Sequence, residues 1–186
     1  MRTLPQIRSE AISCTKCGLA SGRTQVVFGV GNVESDLMVI GEAPGAQEDL
    51  LGEPFVGRSG KLLDTLIGQE LGLDRNSMYI ANVVKCRPPN NRNPTPDEVR
   101  SCIPYLHEQI GVIDPKVIIT LGNFALQAMI QGADGVTKMR GRTYSIAGRS
   151  LVPTYHPSYA LRGGAQIVAE IRSDLVRAKE IILGLG

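Results

Sequence analysis

Four cysteines, Cys14, Cys17, Cys86 and Cys102, carry the clearest chemical signal in this 186-residue chain. The Cys14-x2-Cys17 pair lets two sulfurs converge on one ion or cluster, while Cys86 and Cys102 must arrive from separate elements. A tight pair plus two distant single cysteines, with none left over, reads as a four-thiolate metal site assembled by folding. Two other readings fit the same residues. Free cysteine is among the most buried residue types, so four unrelated core thiols are one. Two disulfides in an exported protein are the other. Spacing alone does not choose between zinc and iron–sulfur, because four thiolates suit both.

The elements that must position these residues alternate between apolar runs and helical patterns. Leu37 to Ile40 is a buried-strand run that stops at Gly41, and Met78 to Val84 is rich in β-branched residues. Val117 to Leu121 and Leu151 to Tyr155 give two more strands, the last following a hairpin around Ala147-Gly148. Between them, Ser59 to Leu71 places Leu62, Leu63, Leu66, Ile67 and Leu71 on one helical side. Thr95-Pro96-Asp97-Glu98 starts a helix, with Thr as N-cap, Pro at N1 and Glu at N3, which carries Cys102 and runs to about Ile110. Asn123 to Ile130 and a closing amphipathic helix through Ile167, Ile171 and Leu175 complete the pattern. Strands separated by helices predict an α/β fold, a three-layer α/β/α sandwich around a mostly parallel four-stranded sheet. The expected organisation is one domain over residues 1–186, since no repeat or low-complexity linker interrupts the chain.

In such folds the working site lies beyond the carboxyl ends of the strands. Three polar residues fall there. The first strand ends in Gly41-Glu42-Ala43-Pro44-Gly45, a tight turn whose glycines let backbone approach a ligand. The second contains Asn82 and leads into Lys85-Cys86-Arg87-Pro88-Pro89-Asn90-Asn91-Arg92. The last ends in Tyr155-His156-Pro157-Ser158, and His156 is one of only two histidines. Singly, Glu42 reads as a solvated turn residue, Asn82 as a loop cap and His156 as a structural histidine; jointly they predict one cleft. Two phosphate-binding motifs fail. Gly29-Val30-Gly31 has no third glycine opening a helix, and Gly57-Arg58-Ser59-Gly60-Lys61 has Phe55 where a P-loop needs its first glycine and Leu62 after the lysine.

Bulk properties narrow the class further. No apolar signal region follows Met1 and no run approaches the roughly 18 residues of a membrane span. The expectation is a cytoplasmic protein, where thiols stay reduced and cysteine sets favour metals. Net charge is only +2, but the stretch from Gly135 to Ala169 has no acid while holding Lys138, Arg140, Arg142, Arg149 and Arg162. That stretch is either a phosphate-attracting surface or a face balanced by acids from elsewhere in the fold. Aromatic residues make up 4%, with no Trp, which excludes an extended base-stacking platform.

Taken together, Gly41-Glu-Ala-Pro-Gly-Ala-Gln-Glu-Asp49, Pro54-Phe-Val-Gly57, Asn82-Val-Val-Lys-Cys-Arg-Pro-Pro-Asn-Asn-Arg92 and His156-Pro-Ser-Tyr-Ala-Leu-Arg162 resemble the family 4 uracil-DNA glycosylases. These form the iron–sulfur branch of the uracil-DNA glycosylase superfamily. The cysteine arrangement matches that family's cluster ligands, and the likeness spans nearly the whole chain. Glu42 favours family 4 over family 5, where the corresponding position is typically apolar. The histidine-bearing insert of the branch that traps DNA covalently is absent after Asn82.

The resemblance implies a repair enzyme that flips uracil from DNA and hydrolyses its N-glycosidic bond, with uracil-containing DNA, single- or double-stranded, as partner and a monomer as the working form. It implies a [4Fe–4S] cluster on Cys14, Cys17, Cys86 and Cys102. Glu42 and His156 are the implied catalytic residues, the first orienting water or stabilising a cationic sugar, the second donating to uracil O2. Gly41, Ala43, Glu48, Phe55 and Asn82 are the implied substrate-binding residues. Phe55 stacks on the base from an exposed loop, Asn82 reads its edge, and the turn from Ala46 to Glu48 excludes the methyl of thymine. In family 1 an Asp sits one place after the glutamate position, where this chain has Ala43. Leu161 is the implied minor-groove wedge, carried on a Leu161-Arg162-Gly163-Gly164 loop, and Arg162 a phosphate contact. The competing reading is a non-catalytic nucleic-acid-binding module with a structural four-cysteine metal site.

Overall fold

A computed structural model describes residues 2–185. In chain order the elements are α1 (Leu4–Ile12), β1 (Val30–Gly31), β2 (Leu37–Gly41), α2 (Ala46–Leu51), α3 (Arg58–Leu71) and β3 (Tyr79–Asn82). Then follow α4 (Pro96–Ile113), β4 (Val117–Leu121), α5 (Gly122–Met129), α6 (Val136–Met139), β5 (Tyr144–Ile146), β6 (Arg149–Thr154), α7 (Pro157–Gly163) and α8 (Ala165–Ile182).

The strands form one sheet in the order β1-β3-β2-β4-β6-β5. The four central strands pair in parallel, and the short edge strands β1 and β5 pair antiparallel. The sheet therefore has six strands where the apolar runs predict four. The two extra ones are only two and three residues long, too short to leave a periodic signal, and β5 is the outer arm of the predicted hairpin. Every residue of β2, β3 and β4 is buried, so both faces of the sheet are covered, as a parallel sheet requires. On one side α3, α7 and α8 pack together, with α8 against β4 and β6, while α1 packs on α4 elsewhere.

Capping chemistry explains where α4 begins. Thr95 Oγ1 accepts from Glu98 N at 3.3 Å and Glu98 Oε2 accepts from Thr95 N at 2.8 Å, the reciprocal pair that a Thr-x-x-Glu start promises. The helix runs past Ile110 to Ile113 and ends at Asp114 in a left-handed conformation. Three local expectations change. Ala46 to Leu51 forms a short helix after the Gly41–Gly45 turn, and Leu161 to Gly163 lie in the last turn of α7 and not in a loop. The third is α1, which has no counterpart in the sequence pattern because only Ile7 and Ala11 of its residues are buried. Among the described residues no helix is long and apolar enough to cross a membrane.

Candidate active site and cysteine site

The parallel register places Gly41 beside Asn82 at the carboxyl ends of β2 and β3. Main-chain bonds from Val83 N to Gly41 O (2.9 Å) and Val84 N to Glu42 O (3.1 Å) continue the pairing one step beyond the strands. Here, and at the end of β6, an open cleft of about 440 Å³ is lined by Glu42, Ala43, Glu48, Phe55, Asn82, His156 and Arg162, with Arg92 on its rim. Residues from four separate sequence segments thus share one cavity.

Asn82 is 1% exposed, and its Oδ1 is buried with no hydrogen-bond partner among the described residues. An unpaired buried amide oxygen costs roughly 1–3 kcal/mol, so its presence on a cleft wall points to a ligand donor. The neighbouring Gly41 makes room for it. A Cβ there would lie 2.4 Å from Asn82 Oδ1 and 2.4 Å from Phe55 Cζ.

Phe55 corrects one expectation. It sits on a loop, but it is only 6% exposed and its φ of 54° lies in the left-handed region. Its neighbours hold it there. Arg75 donates to Phe55 O at 3.0 Å and Pro54 O at 2.5 Å while pairing with Asp64 at 2.9 Å. Gly60 packs so tightly on the Phe55 carbonyl that a Cβ would come within 1.7 Å of its oxygen. The ring faces His156 with centroids 5.7 Å apart. Arg75 does not stand out in the sequence, and Gly60 figures there only in a failed P-loop match; an arginine far along the chain carries no local signal of a carbonyl clamp.

Glu48 has a positioning geometry. Its Oε2 accepts from Gly45 N at 3.1 Å, and its Oε1 accepts from Val56 N and Gly57 N, both at 3.0 Å. One carboxylate therefore ties the turn after β2 to the Phe55 loop. Both oxygens are engaged with main chain, so its role at the cleft wall is to hold those two segments together.

His156 N-caps α7. Its Nδ1 accepts from Ser158 N at 3.1 Å and lies 2.8 Å from Ser158 Oγ. An N–H donating to Nδ1 leaves that nitrogen without a proton, so the neutral ring carries its hydrogen on Nε2. Burial holds the imidazole pKa down to about 4, with repulsion from Arg162 adding to it and Glu48 opposing. Gly122, with φ +85°, lies against the histidine: a Cβ there would be 3.2 Å from that of His156. Glu42 is half-buried, and burial alone raises its carboxyl pKa, with no partner contributing. It is free to engage water or a developing cation.

Leu161 is 44% exposed on α7, beside exposed Arg162, which lines the cleft. The acid-free stretch divides. Arg140 is tied to Asp174 at 3.0 Å and Arg149 to Asp114 at 2.6 Å, so acids from elsewhere neutralise these two. Lys138, Arg142 and Arg162 remain exposed.

The four cysteines are free thiols and line one small cavity with Ala11, Leu19, Arg23, Lys85 and Tyr105. Cys14 and Cys17 follow α1, Cys86 lies in the loop after β3, and Cys102 is in the second turn of α4. Arg23 donates to Cys86 Sγ at 3.5 Å and to Cys14 O at 2.7 Å, and Lys85 N donates to Cys102 Sγ at 3.2 Å. Burial pushes the Cys86 thiol up and the Cys102 thiol to about 11. Thiols so desolvated become thiolates when a bound cation compensates, and the two donors to sulfur suit that state. The donor set fits a metal centre. Between Cys86 and Cys102, Glu98 is held down at about 2, chiefly by a two-pronged pair with Arg92 at 2.7 and 2.8 Å. That pair fixes the polar loop along the rim of the cleft.

Comparison with known proteins adds a family. The model of the uracil DNA glycosylase superfamily matches residues 28–176. A type-4 uracil-DNA glycosylase of Sulfurisphaera tokodaii is 46% identical, over 87% of this chain and 77% of its own length. One from Thermotoga maritima is 45% identical over 96% of this chain and 95% of its own. A third, from Saccharolobus solfataricus, is 46% identical over 98% and 88%.

Proposed function

The chain belongs to the type-4 branch of the uracil-DNA glycosylase superfamily, and we propose that the cleft at the ends of β2, β3 and β6 holds a uracil turned out of DNA while its bond to deoxyribose is hydrolysed. The protein is a DNA-repair uracil glycosylase, a hydrolase acting on N-glycosyl bonds. The observation that carries the assignment of the cleft is the unpartnered Oδ1 of Asn82 between Gly41 and Phe55.

A base inside a duplex is out of reach, so the nucleotide is extruded at a cost of a few kcal/mol that contacts to the base must recover. Phe55 supplies a stacking face, worth roughly 1–3 kcal/mol per base. Asn82 Oδ1 accepts from uracil N3–H and its amide nitrogen donates to O4. Cytosine has no proton on N3 and a donor in place of O4, so both contacts turn into mismatches. As the bond breaks, negative charge gathers on O2 of the leaving base. His156, neutral with its hydrogen on Nε2, donates there, a contribution of roughly 2.7–4 kcal/mol when aimed at developing charge. Glu42 orients the attacking water or stabilises the cationic sugar, and main chain at Gly41 and Ala43 completes the pocket. With Ala43 where family 1 has an aspartate, positioning and electrostatics carry most of the acceleration.

Leu161 acts as the wedge in the gap left by the extruded nucleotide, and Arg162 contacts phosphate. Cys14, Cys17, Cys86 and Cys102 hold a [4Fe–4S] cluster. The four sulfurs line one small cavity, and the choice of iron–sulfur over zinc rests on the family resemblance, since four thiolates suit both. Cys14 and Cys17 after α1, Cys86 in the loop after β3 and Cys102 on α4 would be joined by the bound group, and the hydrolysis requires no electron transfer from it. We place the protein in the cytoplasm as a one-domain monomer acting on single- or double-stranded DNA, in keeping with its four free thiols.

The test is abasic-site formation in a uracil-containing oligonucleotide, with single-stranded, U·G and U·A substrates in parallel. Release of uracil with an alkali-labile site supports the reading. Binding without release favours a non-catalytic module, which has no use for the alignment of Glu42 and His156.

A further inference from the structure

Lys85 is fully buried, and nothing in the chemistry above uses its ammonium. Its place is set by a break in the sheet. The β1–β3 register pairs Gly31 with Tyr79 and Val30 with Ile80, which would continue to Phe28 opposite Asn82. There the strands part, and two side chains fill the gap. Lys85 Nζ donates to Asn82 O at 2.8 Å and to Gln109 Oε1 at 2.5 Å. Gln109 Nε2 donates to Phe28 O at 2.9 Å and to Tyr79 Oη at 3.1 Å. Gln109 is as buried as the lysine.

We propose that Lys85 is a positioning residue for uracil recognition: by holding the carbonyl of Asn82 it fixes the main chain from which the base-reading carboxamide projects into the cleft. This deepens, and rests on, the assignment of Asn82 as the base reader. Among the described residues the carboxamide oxygen has no partner, so no bond of that oxygen sets where it points. Its aim comes from Gly41 and Phe55 on one side and from its anchored peptide on the other. An ammonium suits the task because charge-assisted bonds are shorter and about twice as strong as neutral ones. A methionine of similar length would fill the space and leave Asn82 O and Gln109 Oε1 buried without that donor. The main-chain N–H that Lys85 gives to Cys102 Sγ would survive the change.

The experiment is a double-mutant cycle on cluster-loaded protein, reading single-turnover uracil excision in Lys85→Met, Asn82→Ala and the pair. Folding is followed by thermal unfolding and cluster retention by visible absorbance. Lys85→Met is expected to slow excision roughly 10²-fold, as small misplacements of a positioning group do. On the Asn82→Ala background it is expected to cost less than about 3-fold, because groups acting through one another are not additive. Free-uracil affinity by calorimetry should follow the same pattern. Gln109→Leu, two turns beyond Cys102 on α4 and with cluster retention followed in the same way, provides a second route if Lys85→Met does not fold, with a smaller loss that likewise vanishes without Asn82. Equal losses on both backgrounds overturn the inference while the functional reading stands. A folded wild-type protein that excises no uracil overturns the functional reading, and this inference with it.

Discussion

The main-chain N–H of Ser158 donates to Nδ1 of His156 at 3.1 Å, which leaves Nε2 as the only donor of the ring. The first turn of α7 thus sets the tautomer of a residue on the cleft wall, and burial keeps that ring neutral.

A neutral donor predicts a flat acid side. With the pKa of His156 held at about 4, excision should show no histidine limb from roughly pH 5.5 upward, and His156→Ala should lower the whole plateau by about 10²–10³-fold without moving its edges. Stability has a definite sign. The unfolded chain binds the proton near 6.5 and the folded one only near 4, so this contribution is complete above 6.5 and falls away by roughly 3 kcal/mol as pH drops to 4. Single-turnover rates and denaturant midpoints against pH check both. An excision limb near 6.5 that disappears in His156→Ala would mean that the ring titrates normally.

Gly41→Ala should close the pocket. The new Cβ meets Asn82 Oδ1 and Phe55 Cζ at 2.4 Å, both on the side where the base must lie. Excision is expected to fall by at least about 10²-fold, with overpacking costing roughly 1–3 kcal/mol in stability. Kinetics beside thermal unfolding separate the two effects, since a folded but inactive protein is the expected product.

Cys102→Ser should remove one ligand of the cysteine site. Wild-type protein is expected to be brown with iron and sulfide in equal amounts, and the variant to lose that absorbance. It should also lose stability, because a metal centre that joins separate elements contributes to folding outright. Elemental analysis and thermal unfolding read these out, and colourless wild-type protein holding one zinc per chain would be the wrong result.

Arg162→Ala should weaken DNA binding almost equally for every sequence and lower the slope of log K against log salt by about 1. Arg140→Ala should leave that slope unchanged, because Arg140 is committed to Asp174 inside the fold. A salt titration of binding to a uracil-free duplex distinguishes the two arginines.

Much of this arrangement could be read in the chain, for identifiable reasons. The central strands are apolar runs, β2 ending in Gly41 and β4 followed by Gly122, and α4 opens on a capping sequence whose two bonds both form. The convergence of Glu42, Asn82 and His156 follows from the rule that parallel strands end on one side. Phe55 shows where such reading stops. Its glycine- and proline-rich neighbours mark a loop, but the burial of that loop depends on Arg75, twenty residues on, and on how tightly Gly60 packs against the Phe55 carbonyl. Arg140 and Arg149 make the same point for charge: sequence places them in a basic stretch, and tertiary partners neutralise them. Short elements such as β1 owe their existence to pairing with β3 and hold no pattern of their own.

The most direct test is the rate of uracil release from a single-stranded oligonucleotide by wild-type protein and by Asn82→Ala, at saturating enzyme. The unpartnered Oδ1 predicts a loss of roughly 10²–10³-fold in a variant that stays folded and keeps its cysteine site, because the contact is absent from the bound, unextruded ground state and forms only as the base enters the pocket on the way to the transition state. A variant that releases uracil as fast as wild type would contradict the account, since the cleft would then recognise its base by some other group.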